Sequence, residues 1–64
     1  MNKYYDLLVR LAEILNEESN GKNEYTIVDC ATGYIPFKNG ENKVEEVGKD
    51  FHLVAKWLLN ELEN

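Results

Sequence analysis

The 64-residue sequence has one cysteine, one histidine and one proline, and no long apolar run. Each scarcity closes a route. With Cys30 alone, no disulfide forms within the chain. With His52 as the only histidine, a tetrahedral metal site lacks its usual ligands, so no metal or other cofactor is expected. No apolar stretch approaches the about 18 residues of a membrane-crossing helix, and the opening MNKYYDLL turns acidic at once instead of reading as a signal peptide. A cytoplasmic protein without membrane contact is the expectation, and a lone unpaired cysteine suits a reducing compartment.

Basic residues are also in short supply: seven Lys and Arg against twelve acids, for a net charge of −5. Binding a phosphate backbone needs clustered cations, whereas these are dispersed along the chain, so direct nucleic-acid binding is not expected. Charge of this size keeps a small domain soluble, and it can also imitate nucleic acid toward a basic partner. Hydrophobic residues make up 44% of the chain, enough for a core. A chain this short buries only about 60% of its unfolded surface and usually needs a supplement. Disulfide and metal being closed, self-association as a homodimer or a protein partner remains.

What is present reads as a single domain over 1–64. Tyr4, Leu8, Leu11 and Leu15 recur at helical spacing within NKYYDLLVRLAEILNEESNG, with Asn2 placed to cap, which predicts a helix over 3–19. EYTIVDC and YIPF are rich in β-branched and aromatic residues and predict strands over 25–30 and 34–38, joined through Gly33. Pro36 confines the second strand to an edge or a bulge. Asn39-Gly40 is a strong turn signal that closes the segment. Val44, Val47, Phe51, Ala55, Leu58, Leu59 and Leu62 predict a helix over 43–62, capped by Asn42. Gly48 marks either close packing or a break in it. The expected fold is α+β, in the order α-β-β-α, with two helices on one face of a two-stranded antiparallel hairpin. Such a hairpin is marginal in water, so its edges are expected to pair with a second copy.

Chemistry is thin. Cys30 and His52 are the only nucleophile and base on offer, with Asp29 or Asp50 to orient them, and no flanking motif supports the pair. The plainer reading is a buried strand cysteine and a boundary histidine. The four glycines are scattered singly, so no phosphate-cradling loop exists. No catalytic residue is therefore assigned. Four tyrosines and a tryptophan remain, residue types enriched at protein interfaces.

In size, acidity, Asn/Lys/Glu-rich composition and absence of catalytic residues, the chain resembles the small proteins that phages encode to block bacterial defence systems. Inhibitors of helicase-type systems such as Hachiman are one such group. The resemblance implies a non-enzymatic inhibitor that occupies a surface of a host defence protein. A regulatory subunit or small-ligand-binding domain is the alternative, and a Cys/His enzyme the third reading. The expected interface is Leu53 and Trp57 with Tyr25, Tyr34, Ile35 and Phe37. With Phe51 at the centre of the C-terminal stripe, Leu53 falls at about 200° and Trp57 at about 240°, facing away from the hairpin. Val54 and Glu61 fall at the edge of that second face. The competing expectation is that the first helix wraps round far enough to cover both.

Overall fold

The computed structural model describes residues 2–64. The chain runs α1 (Lys3–Glu18), β1 (Tyr25–Cys30), β2 (Gly33–Lys38), β3 (Glu41–Asn42), α2 (Val44–Val47) and α3 (Phe51–Glu63). It is a mixed α/β domain, with an antiparallel sheet in the order β1-β2-β3. α1 begins where expected. The Asn2 side chain accepts hydrogen bonds from the backbone N–H groups of Tyr4 and Tyr5 at 3.0 and 3.1 Å, satisfying two donors the helix cannot satisfy itself.

Two expectations are corrected. The sheet has a third strand, because Asn39-Gly40 does more than end β2. Both residues have positive φ, +54° and +81°, the signature of a type I′ turn, and the chain doubles back to pair Lys38 with Glu41 and Phe37 with Asn42. The helix expected over 43–62 is two helices. Gly48, at φ +98° and ψ 179°, caps α2 and turns the chain before α3 begins. The Asn42 side chain does accept from the Val44 N–H at 2.8 Å, but from a position on β3.

Cross-strand register decides which side chains face the helices. Tyr25 pairs with Lys38, Ile27 with Pro36 and Asp29 with Tyr34, so these residues share the inner face. Tyr25, Ile27 and Pro36 are buried there beneath Leu8, Ala12 and Leu15 of α1 and Val54 and Leu58 of α3. Burying a Leu side chain completely is worth about 1.5–3 kcal/mol, so Leu8 and Leu58, both fully enclosed, carry much of this small core. α1 lies over β1, while α3 packs beside α1 and against β2. The helices run in the same direction. Tyr4 rests on Phe51 where both begin, their ring centroids 4.7 Å apart, and Leu15, Glu18 and Leu62 line one hollow where both end.

Both sides of the β1–β2 hairpin are occupied in part from within the chain. On the β1 side, the Asn16 amide imitates a neighbouring strand. Its Oδ1 accepts from the Tyr25 N–H at 2.6 Å and its Nδ2 donates to the Tyr25 carbonyl at 3.2 Å, while the Tyr5 hydroxyl donates to the Ile27 carbonyl at 3.3 Å. On the β2 side, the Tyr34 N–H donates to the Lys49 carbonyl at 2.9 Å and the Pro36 carbonyl accepts from Lys43 at 2.8 Å, with β3 covering the rest. A Cβ at Gly33 would stand 2.5 Å from that Lys49 oxygen, so only glycine lets the backbones approach this closely. Proline's missing donor falls where the chain offers it only an N–H, at no cost to the ladder. A second copy pairing along these stretches would have to displace these bonds.

Candidate functional site

The residues expected at an interface divide between two faces. Tyr25 belongs to the core, at 5% exposure. Its hydroxyl donates to Glu61 Oε1 at 2.7 Å, and Lys38 Nζ reaches the same oxygen at 2.7 Å from a position over the Tyr25 ring. The three groups tune one another. Burial first, then the bond to Glu61, raises the Tyr25 pKa. The bond to Glu61 raises that of Lys38, and the bond to Lys38 lowers that of Glu61 against the opposing effect of burial.

With this cluster formed, α3 lies at a different roll from the one its sequence pattern suggests. The buried centre of the helix lies between Val54 and Leu58, about 40° from Phe51 at 100° per residue. Val54, expected at the margin, is fully buried. Trp57 swings inward and meets Tyr25 edge-on, centroids 5.7 Å apart, so strand β1 and not α1 half-buries it. Leu59 and Leu62, expected in the core, are exposed, and Leu53 remains 49% exposed against the turn at Gly48. Leu53 and half-buried Trp57 still line one shallow hollow together with Val47 and Lys56.

Tyr34 also faces inward. Its ring stacks near Tyr5 and meets Phe51 edge-on, and its hydroxyl exchanges hydrogen bonds with the Asn2 side chain. Ile35 and Phe37 point the other way. By register they share the outer face of the sheet with Val28, Thr26 and Cys30, and both helices pack on the inner side. Val28 is 44% exposed and stands directly across from Ile35. Its place was open to sequence reasoning, since strict alternation from Ile27 sends Val28 outward.

A second apolar surface runs along the helix layer. Counted at about 100° per residue from the buried centre of each helix, Tyr4, Leu7, Leu11 and Ile14 form the shoulder of α1 that faces α3. Ala55, Leu59 and Leu62 form the facing shoulder of α3, and the Tyr4–Phe51 contact fixes which shoulders meet. Five of these side chains, Tyr4, Leu7, Ile14, Leu59 and Leu62, are between 37% and 58% exposed. The periodicity that marks them as apolar cannot say that the neighbouring helix fails to cover them.

The chemistry candidates stay apart. Cys30 Sγ lies 3.7 Å from the Thr32 hydroxyl, which also accepts from Lys49 Nζ at 3.0 Å, while the His52 ring packs against Phe51. No hydrogen bond joins Cys30 to His52. Bonding to the Thr32 backbone and hydroxyl lowers the Cys30 pKa. Among the described residues, no three His, Cys, Asp or Glu side chains converge as a metal site would require, and no helix is long and apolar enough to cross a membrane. No family model matches the chain, nor does any curated protein or solved structure.

Proposed function

We propose that the chain is a non-enzymatic protein-binding module, which covers a surface of its target with the outer face of its sheet. The observation that carries this reading is an apolar outer sheet face on which Val28 is exposed and Ile35 and Phe37 are half-buried beside it. A partner on this face meets side chains and not backbone. The net charge of −5 favours a basic or neutral target. Within this reading the chain acts as a phage or mobile-element inhibitor of a bacterial defence protein, in the host cytoplasm, and works as a homodimer because its own core is small. Affinity purification from bacterial lysate with the parent chain and Val28→Glu tests it. A stoichiometric protein retained by the parent and lost with Val28→Glu is expected. Retention of no such protein by the parent counts against the reading.

A small-ligand reading has one observation behind it. Tyr4, Thr32, Tyr34, Lys49, Phe51 and His52 line a hollow of ≈ 570 Å³, open to solvent. Ligand pockets usually enclose most of their occupant, which this one does not. A rise in melting temperature with a metabolite panel, abolished by Lys49→Ala, would favour it.

A further inference from the structure

Among the described residues, seven large apolar side chains are left exposed, five of them in one strip along the α1–α3 seam. Contiguous exposed strips of this kind mark contact surfaces. The seam is also electrically lopsided. Lys3 borders it where the helices begin, Arg10 and Lys56 border it near their middles, and Glu17, Glu18 and Glu63 border it where they end. Asp6 lines one hollow with Lys3, Leu7 and Arg10, so the start of the seam is close to neutral and its end is acidic.

We infer that this seam is where two copies of the chain meet, related by a twofold axis in the plane of the helix layer and perpendicular to the helices. Two such rotations can lay the seam on itself. An axis along the helices stacks the acidic ends on each other. An axis across them reverses one copy and sets each acidic end on a start that carries Lys3. Like charges in register are strongly disfavoured, so the surface is complementary to itself only in the second arrangement. Passing the axis midway between Leu7 and Ile14 brings Leu7 opposite Ile14 of the second copy and Lys3 opposite its Glu18. Because Tyr4 and Phe51 stand at one level, it also brings His52 opposite Glu63. Arg10 falls closest to the axis and reaches sideways toward Glu13 of the other copy.

A standard interface takes about 800 Å² from each partner, which would engage the whole broadest side of a molecule measuring 31 × 25 × 18 Å, with the seam at its centre and the flanking polar residues as its rim. The resulting dimer has its sheets outermost, so both outer sheet faces stay free. The inference rests on the proposal above only for self-association and not for the target.

Sedimentation equilibrium on the full chain tests it, with circular dichroism to confirm folding. The parent is expected at twice 7.4 kDa. Leu7→Glu and Leu59→Glu, both at exposed positions, are expected to weaken the dimer at least about tenfold. Lys3→Glu should weaken it, and adding Glu18→Lys should restore it. This charge pair touches no core residue and decides the matter if an apolar variant fails to fold. A parent that stays monomeric at millimolar concentration overturns self-association altogether. A dimer indifferent to all these changes, or one in which Glu18→Lys gives no rescue, overturns the seam as the contact while leaving the dimer. A seam variant that keeps the dimer mass but loses the lysate target assigns this surface to the target and overturns the inference.

Discussion

α1 and α3 cover the same sheet with stripes of similar width, yet they are seated differently. α1 is fixed at both ends by polar side chains that reach the strands, Asn2 to Tyr34 and Asn16 to Tyr25. α3 starts without a side-chain cap, after the break at Gly48, and is tied near its far end through Glu61. The apolar stripe therefore suffices to predict how α1 sits, because its caps and its core agree. In α3 the roll that buries Val54 and Leu58 also brings Glu61 to Tyr25 and Lys38, so burial and the ion pair fix it together.

The largest effects should come from the two enclosed leucines. Leu8→Ala and Leu58→Ala are each expected to cost about 2–5 kcal/mol in urea unfolding, while Leu59→Ala should cost well under 1 kcal/mol. Equal losses at Leu58 and Leu59 would show that the roll of α3 is misassigned. Next, Asn16→Ala strips both backbone groups of Tyr25 of their partners and should cost about 1–3 kcal/mol by the same measurement. Truncating exposed Asn60 should be neutral.

Glu61→Gln should be milder, about 1 kcal/mol at neutral pH, because the amide oxygen can still accept from Tyr25 and the ion pair is partly solvated. Its signature is in the pH dependence. The Glu61 pKa is depressed on folding, so its contribution is present above the usual 4.5 and fades as pH falls through the lower folded value. The Lys38 and Tyr25 pKa values are raised, so their contributions are complete below about 10 and fade as pH climbs above it. Thermal melts of the parent across pH should fall at both ends, and Glu61→Gln should flatten the acid limb. The smallest effect is at Cys30. Thr32→Val removes the hydroxyl beside the thiol and should slow iodoacetamide alkylation at neutral pH by a few-fold, with no change in melting temperature.

Much of the fold was legible in short spans. Asn2 as a cap, the stripe of α1, the β-branched run of β1 and the break option at Gly48 all depend on neighbours within a turn or two. β3 was not legible, because Glu41 and Asn42 have no strand character of their own and pair only because the type I′ turn delivers them. The roll of α3 was hidden for a different reason. It depends in part on a hydrogen bond from Tyr25 to Glu61, 36 positions away. The candidate face was half legible. Tyr34, Ile35, Pro36 and Phe37 are apolar on both sides of β2, so alternation gives no orientation there, and only the register with β1 sends Ile35 and Phe37 outward.

The shared direction of α1 and α3 has an electrical consequence. Peptide dipoles in each helix place partial positive charge at its start and negative charge at its end. Side by side and parallel, the two add instead of cancelling. Side chains commonly offset such an alignment with acids early and bases late, and here Asp6 in the first turn of α1 and Asp50 before α3 do so in part, but neither helix has a base in its last turn. Lys3 lies at the positive end, and Glu17, Glu18 and Glu63 lie at the negative one. The molecule thus behaves as a small bar magnet does, except that its poles are electric. In an external field it experiences a torque along the helix axes, and an approaching charged body turns it before any contact forms. Transient electric birefringence would read that moment directly, and charge reversal at Lys3 and Glu18 together should shrink it.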